Sequence, residues 1–549
     1  METDFDYIVV GGGSAGSVLA GRLSEDAAIR VCLLEAGGGG GGPAVNIPCG
    51  AVTMLPTRYN NWAFESVPQP GLNGRRAYQP RGKCLGGSSA INAMIYIRGH
   101  RHDYDHWAAL GNAGWSYDDV LPYFILSENN ERYRDRWHGN SGPLHVSDLR
   151  SDSPFHARYL EAARQAGLPL AGDFNGAEQE GVGLYQVTQK DGERWSAARA
   201  YLLPHIGQRA NLAVHTRAAV QRIVFEGRRA VGVDVLLQGQ RHRLHARREV
   251  LLSAGALQSP QLLMLSGVGD GALLQQHGIA SVHHLPGVGR NLQDHLDFTF
   301  GYNVRGVDSF GFSSRGSWRM LREMLQFRRA RRGMLTTNFA EGGGFLKSRP
   351  ELPIPDLQLH FVVALVDSHA RKLHWGHGLS CHVCLLRPQS RGTVGLQGAD
   401  PALPPRIDPA YLSHPQDLED MVAGYRITQR LMQAPALAEL YTRDMFTADV
   451  RDDEGIRAII RQRAETIYHP VGTCRMGTDA DAVVDAELRV HGLQGLRVVD
   501  ASIMPTLIGG NTNAPTIMIA EKAVDLIRGQ SRIRPGVPHH GESVHAGTH

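Results

Sequence analysis

Gly11-Gly12-Gly13-Ser14-Ala15-Gly16 carries the spacing G-x-G-x-x-G. It stands between an apolar run, Tyr7–Val10, and Ala15, Val18, Leu19 and Leu23 at helical spacing. In such a setting Gly11 permits a tight turn, Gly13 lets backbone approach a pyrophosphate, and Gly16 lets helix and strand pack closely. The free N–H groups at the start of the following helix would face the phosphates. Glu35 closes the next apolar run, Val31–Leu34, where an acid accepts ribose hydroxyls. The chemistry these residues could do is dinucleotide binding. The same letters also read G-x-S-x-G from Gly12 to Gly16, the nucleophile elbow of a serine hydrolase with Ser14 attacking. An elbow follows a central strand well inside a chain, whereas Ser14 follows the first, so the hydrolase is the lesser reading. Cys381 and Cys384 have C-x-x-C spacing, but no second pair supports zinc. In a strand, residues three apart point to opposite faces, so no metal site is expected.

These side chains need elements to hold them. The first 35 residues read strand, glycine turn, helix, strand, an α/β beginning. Val250–Ser253 runs through Gly255 into an apolar helix, Gln261–Leu265, while Arg497–Asp500 and Ala514–Leu526 form a last strand and helix. Residues 300–455 differ in character, with alternating strands such as Leu357–Val363, prolines and two candidate helices. The run Gly37–Gly42 reads as a flexible surface loop, Gly71–Gly99 as extended chain, and the tail from Ser531 as disordered. At about 100–200 residues per domain, 549 residues make roughly three units or two large interwoven ones. A net charge of +3 excludes a strongly basic nucleic-acid binder. Six cysteines exclude a disulfide scaffold and point to a reducing compartment, the cytoplasm. No apolar run is long enough to span a membrane, and the acids Glu2, Asp4 and Asp6 do not make a signal peptide.

Four longer motifs add to the glycine turn. Gly82–Asn92, followed by Tyr96, Gly99 and Asp105, resembles the first signature of the glucose–methanol–choline (GMC) oxidoreductases, and Gly255–Gly269 the second. Val288–His295, and Val498–Ser502 with Gly509–Thr516, are similar to the same family, so the resemblance runs from Asp6 to about Ile527. It implies FAD as hydride carrier and an alcohol as substrate. The implied fold is an α/β, Rossmann-like FAD domain from 1–150, 203–300 and 458–530. An interleaved α+β substrate domain on an antiparallel sheet comes from 151–202 and 301–457. Implied cofactor contacts are Gly11, Gly13, Ser14, Ala15, Gly16, Glu35, Ala36, Trp62, Gly86, Gly87, Ser88, Asn92, Ala93, Met94, Val220, Asp500, Ala501, Asn511, Thr512 and Asn513. Within Glu465–Thr473, His469 matches the histidine that faces flavin N5 and takes the hydroxyl proton, a task suited to neutral imidazole. Asn511 matches the second catalytic position, where an amide can orient the substrate oxygen but cannot take its proton. His295 reads as structural. Some choline-oxidising relatives bind FAD through a histidine where this chain has Ile91, so the flavin is expected to be non-covalent. The motifs look closest to bacterial alkanol and polyethylene glycol dehydrogenases, then choline dehydrogenases. A primary alcohol with an aliphatic or aromatic tail is therefore favoured, with a quinone or other acceptor taking the electrons. Choline, or an oxygen-using oxidase, is the alternative.

Ser317–Arg332 stands apart from all of this. At about 100° per residue, Trp318, Met320, Leu321, Met324, Leu325 and Phe327 share one half of a helix, and Arg319, Arg322, Glu323, Gln326 and Arg329 the other. The pattern reads either as a core-packed helix with a solvated arginine face or as a peripheral membrane anchor.

Overall fold

The computed structural model describes residues 2–533; Met1 and most of the tail expected to be disordered lie outside the described residues. Asp4–Val10 pairs in parallel with Val31–Glu35 on one side and with the later part of the long strand Gln240–Leu252 on the other. Leu212–Thr216 and Leu496–Val498 continue the parallel set outward. In both glycine-flanking strands the apolar stretches, Tyr7–Val10 and Val31–Leu34, are buried on both faces, as parallel strands under helices must be. Helix Ser14–Leu23 covers one face and packs against Asn513–Arg528, which brings the two ends of the chain together. The first half of Gln240–Leu252 leaves the parallel set and pairs antiparallel with Arg229–Leu237, which in turn pairs with Ala218–Glu226.

A second sheet has eight strands, all paired antiparallel. Its path runs Tyr441–Asp444, Leu296–Val304, Gly376–Leu385, Leu357–Val362, Ala340–Leu346 and Gly181–Leu184. Alternation decides its two faces. Leu357, Leu359 and Phe361 enter a core shared with helix Pro415–Met432, whereas Val362 joins a smaller cluster on the opposite side. Cys381 and Cys384 fall in those two separate clusters, as their spacing in a strand requires. The sheet also takes in residues on either side of the expected domain boundaries. Leu296–Val304 crosses position 300, and Glu465–Thr466 pairs with Leu296–Asp297, because strand pairing continues through both points.

The glycine run Gly37–Gly42 is not simply a surface loop. Gly38 bridges to Cys84, and a Cβ on Gly37 would lie 1.9 Å from the Lys83 carbonyl oxygen, so its first half is packed against the 83–85 segment. No helix among the described residues is long and apolar enough to cross a membrane.

Candidate active site

The two sheets enclose a cavity of about 1740 Å3. That exceeds the roughly 300–1,000 Å3 of a drug-sized site, leaving room for a long cofactor and a second molecule. One end is built from backbone. Gly11 turns with φ of 100°, and a Cβ there would strike the Ser253 carbonyl oxygen at 2.5 Å. Gly87, with φ of 51°, lies so close to the first glycine loop that a Cβ would sit 2.6 Å from Gly13 Cα. Helices Ser14–Leu23 and Asn513–Arg528 both start without a side-chain cap, and Ser14, Ala15, Thr512 and Asn513 line the cavity. Their free N–H groups and partial positive charge suit phosphates. The Ser14 hydroxyl donates to Asn513 Oδ1 at 2.7 Å, locking the two helix starts together. Among the described residues no histidine partners it, so the hydrolase reading lacks a base there.

Glu35 ends its strand at the same place. Its carboxylate accepts the N–H of Gly12 at 2.9 Å and of Gly37 at 2.7 Å. Burial nonetheless pushes it up to about 7, against those two bonds. Such a carboxylate gains from hydroxyl donors arriving with a ligand. The donor set, the glycine contact and the buried acid fit a dinucleotide.

The expected cofactor residues line this cavity with two exceptions. Gly16 sits behind the wall, where a Cβ would lie 1.8 Å from the Gly11 oxygen, so it serves packing of helix on turn. Gly86 turns the chain behind Gly87 and donates its N–H to the Gly12 oxygen at 2.7 Å. Asp500 lines the cavity, but its oxygens accept from Gly255 N, Ser259 Oγ and Ser502 N. It clamps the start of helix Gly255–Leu265 to its own turn. Arg194, which sequence reasoning missed, is fully buried and donates to the Asn92 side chain at 2.8 Å and to the oxygens of Val45 and Ser89.

The other end is built from side chains. His469 and Asn511 meet there, Asn511 Nδ2 lying 3.3 Å from His469 Nε2. His295 Nδ1 lies 2.9 Å from His469 Nδ1, and His295 Nε2 lies 3.1 Å from the Leu386 carbonyl oxygen. These distances settle the protons. The carbonyl can only accept, so His295 Nε2 carries hydrogen. Full burial lowers His295 to about 3, so it is neutral and its Nδ1 is bare. His469 Nδ1 must then donate. Burial, with His295, His360 and Arg81 nearby, holds His469 well below the ordinary histidine range, so its Nε2 keeps a lone pair facing Asn511. His295 is thus more than structural: it sets the tautomer of its neighbour.

The adjacent residue holds the backbone. Asp294 accepts the His469 N–H at 2.9 Å and also the hydroxyls of Thr466 and Tyr411. Tyr468, just before His469, has φ of 74°, a conformation worth about 1–3 kcal/mol of strain that this network and the Arg81 bond to its carbonyl oppose. Gln358 Nε2 donates to Asn511 Oδ1 at 3.0 Å, fixing the amide so that its NH2 faces His469. Two places along that strand, His360 lines the cavity with neither ring nitrogen partnered among the described residues, and burial lowers it to about 3. The pattern Leu357-Gln358-Leu359-His360-Phe361, polar residues alternating with apolar ones, was the available signal for this pair. Around them Phe310, Phe339, Val362, Ala364 and Ile467 make an apolar wall.

Comparison with known proteins follows this geometry. A family profile described as GMC oxidoreductase matches residues 5–297, and a second of the same description matches 388–520. The chain is 49% identical over 532 residues to an alcohol dehydrogenase (acceptor) of Pseudomonas putida, covering 95% of each. It is 44% identical to the mitochondrial choline dehydrogenase of Homo sapiens, covering 96% of this chain and 90% of the relative. Among solved structures, pyridoxine 4-oxidase from Mesorbium loti superposes with a TM-score of 0.87 at 32% identity, covering 96% of this chain and 100% of that one. Formate oxidase of Aspergillus oryzae RIB40, in a study of FAD modification, gives 0.88 at 27% identity, covering 96% and 98%.

Proposed function

This chain belongs to the GMC oxidoreductase family and uses FAD, and we propose that it oxidises primary alcohols with an apolar tail to aldehydes. FAD, when bound, supplies the hydride acceptor. Gly13, Gly87 and the starts of helices Ser14–Leu23 and Asn513–Arg528 would hold its phosphates, and Glu35 its ribose. The remaining chemistry belongs to the protein. Asn511, oriented by Gln358, donates to the alcohol oxygen and sets its hydroxyl toward His469 Nε2. That nitrogen takes the hydroxyl proton as the α-carbon surrenders hydride. The resulting imidazolium keeps a charge-assisted hydrogen bond from its Nδ1 to His295. The observation carrying this reading is the hydrogen-bond line Leu386, His295, His469, Asn511, Gln358, which leaves one bare nitrogen at an apolar wall.

Choline has support from its similar dehydrogenase, but the cavity lining disfavours it. A quaternary ammonium needs aromatic faces, which Phe310 and Phe339 offer here, and usually a carboxylate, and it is on charge that the lining disfavours it. Arg58, Arg76, Arg81, Lys83, Arg371 and Lys372 line this cavity against only Glu35, Glu65 and Asp500. Ile91 has no atom that could bond a flavin, which supports non-covalent binding, and the similarity to an acceptor-dependent dehydrogenase supports a quinone as electron acceptor. The deciding experiment is anaerobic bleaching of the bound flavin by a panel of alcohols including choline, followed by air or a quinone. Rapid bleaching by apolar primary alcohols and recovery with quinone are expected. Bleaching by choline alone overturns the substrate reading, and equally fast recovery in air overturns the acceptor.

A further inference from the structure

The Ser314–Ala330 helix has no place in the chemistry above, and its packing is unusual. Only Gly316, Arg319, Met320, Glu323 and Phe327 turn toward the protein. Phe327 is buried, Glu323 accepts the Met334 N–H at 2.7 Å, and Arg319 reaches Asp308 at 2.7 Å. The half of the wheel that reads as apolar is therefore split. Two of its residues turn in, while Trp318 (76% exposed), Leu321, Met324 and Leu325 face outward, each half exposed or more.

This outward stripe adjoins the cavity mouth. Strand Gly311–Phe312 leads directly into the helix through Ser313, whose hydroxyl caps Gly316 N and meets His377 Nε2 at 2.8 Å. Phe312 lines the cavity and bridges to Trp375, itself 79% exposed, and Leu373 on the same rim is 68% exposed. The helix, Phe312 and the 371–376 rim thus hold half of the exposed large apolar side chains in the described residues. An ordinary monomer scatters such groups singly. Arg315, Arg322 and Arg329 recur every seventh residue, a basic row beside the apolar one, and none has a carboxylate partner among the described residues.

We propose that this face rests on an anionic lipid bilayer, with the cavity mouth at Phe312 and Leu373 opening onto the lipid. The charge pattern selects the occupant. A basic row flanking an apolar row complements anionic headgroups above acyl chains. In a symmetric pairing with a second copy the same row would sit close to its own like charges. The proposal rests on the alcohol reading only for what passes the mouth: an apolar alcohol and a quinone both partition into lipid.

The test uses full-length, FAD-loaded protein without alcohol, floated with vesicles of phosphatidylcholine alone or mixed with phosphatidylglycerol, at low and high salt. Flotation with the anionic vesicles at low salt is expected, together with quenching of tryptophan fluorescence by brominated acyl chains that W318F/W375F removes. Combined W318D, L321D and L325D should abolish flotation. Combined R315Q, R322Q and R329Q should weaken it on the order of 100-fold, at about fivefold per basic residue. Both variants should retain FAD, and a short water-soluble alcohol should bleach it at the wild-type rate. Wild type remaining unbound with both vesicles overturns the proposal, as does flotation unchanged by the aspartate substitutions. A dimer in sedimentation that those substitutions dissociate, with no flotation, would assign the face to a second copy. Flotation without bleaching by any alcohol would sink the substrate reading and leave the docking intact.

Discussion

The two ends of the cavity solve recognition by different means. At the dinucleotide end the wall is backbone: Gly13 against Gly87, two uncapped helix starts, and one acid, Glu35. At the alcohol end the wall is side chains, His360, His469 and Asn511, backed by His295 and Gln358, and the five arrive from four separate places in the chain. Backbone recognition demands close approach, and close approach demands glycine at fixed spacing. Side-chain recognition demands only that atoms converge, which places no constraint on spacing along the chain. Residues 298–387, which neither family profile matches, contribute Gln358, His360, the apolar wall and the exposed rim.

The contrast can be broken most severely at His469. His469→Ala should retain FAD yet lose about 100- to 10,000-fold in the rate of alcohol-driven flavin bleaching, the worth of a general base. Unchanged stopped-flow rates would remove it from the mechanism. Next is His295, whose role is positional. His295→Phe removes the acceptor for the imidazolium, a charge-assisted bond worth roughly 10- to 100-fold in rate. Because His469 loses its fixed tautomer, the pH–rate profile should change as well, and His295→Asn, which keeps an acceptor oxygen, should recover part of the loss. A merely structural histidine would leave the profile unmoved.

The dinucleotide end predicts effects on binding and none on chemistry. Glu35 stands near pH 7 in the ligand-free protein and falls when ribose hydroxyls donate to it, so FAD binding expels a proton below that pH. Affinity should therefore decline as pH drops below 7, by at most about tenfold per pH unit, and be flat above it. Fluorescence titration of FAD should show this slope in wild type and not in Glu35→Gln. Gly87→Ala places a Cβ 2.6 Å from Gly13 Cα at a left-handed φ. It should cost about 1–2 kcal/mol of stability from the backbone conformation alone, visible as a lower melting temperature, and reduce FAD retention after dialysis. The smallest effect is expected at the rim. Arg371→Gln with Lys372→Gln should lower KM for choline a few-fold, because exposed charges act weakly through solvent, and leave KM for an apolar alcohol unchanged.

What the amino-acid sequence determined by itself was the dinucleotide end and a candidate reacting pair. Gly11, Gly13 and Glu35 were legible because strand, turn, helix and strand are consecutive, and the geometry of phosphate approach is written into local spacing. His469 and Asn511 were legible through motifs around them. Gly16, whose spacing already reads as packing, and Gly86 stand behind the cavity wall; within a motif a glycine needed for packing and one needed for a ligand look the same until the neighbouring backbone is in place. Tertiary structure alone decided that His295, 174 residues before His469, holds its tautomer, that Gln358 aims Asn511, and that His360 stands unpartnered at the cavity. It decided, too, which half of an amphipathic helix faces the protein. Periodicity tells how apolar side chains group around a helix axis, but which of them are covered depends on what the rest of the chain brings against them, and here it brought almost nothing to Trp318, Leu321 and Leu325.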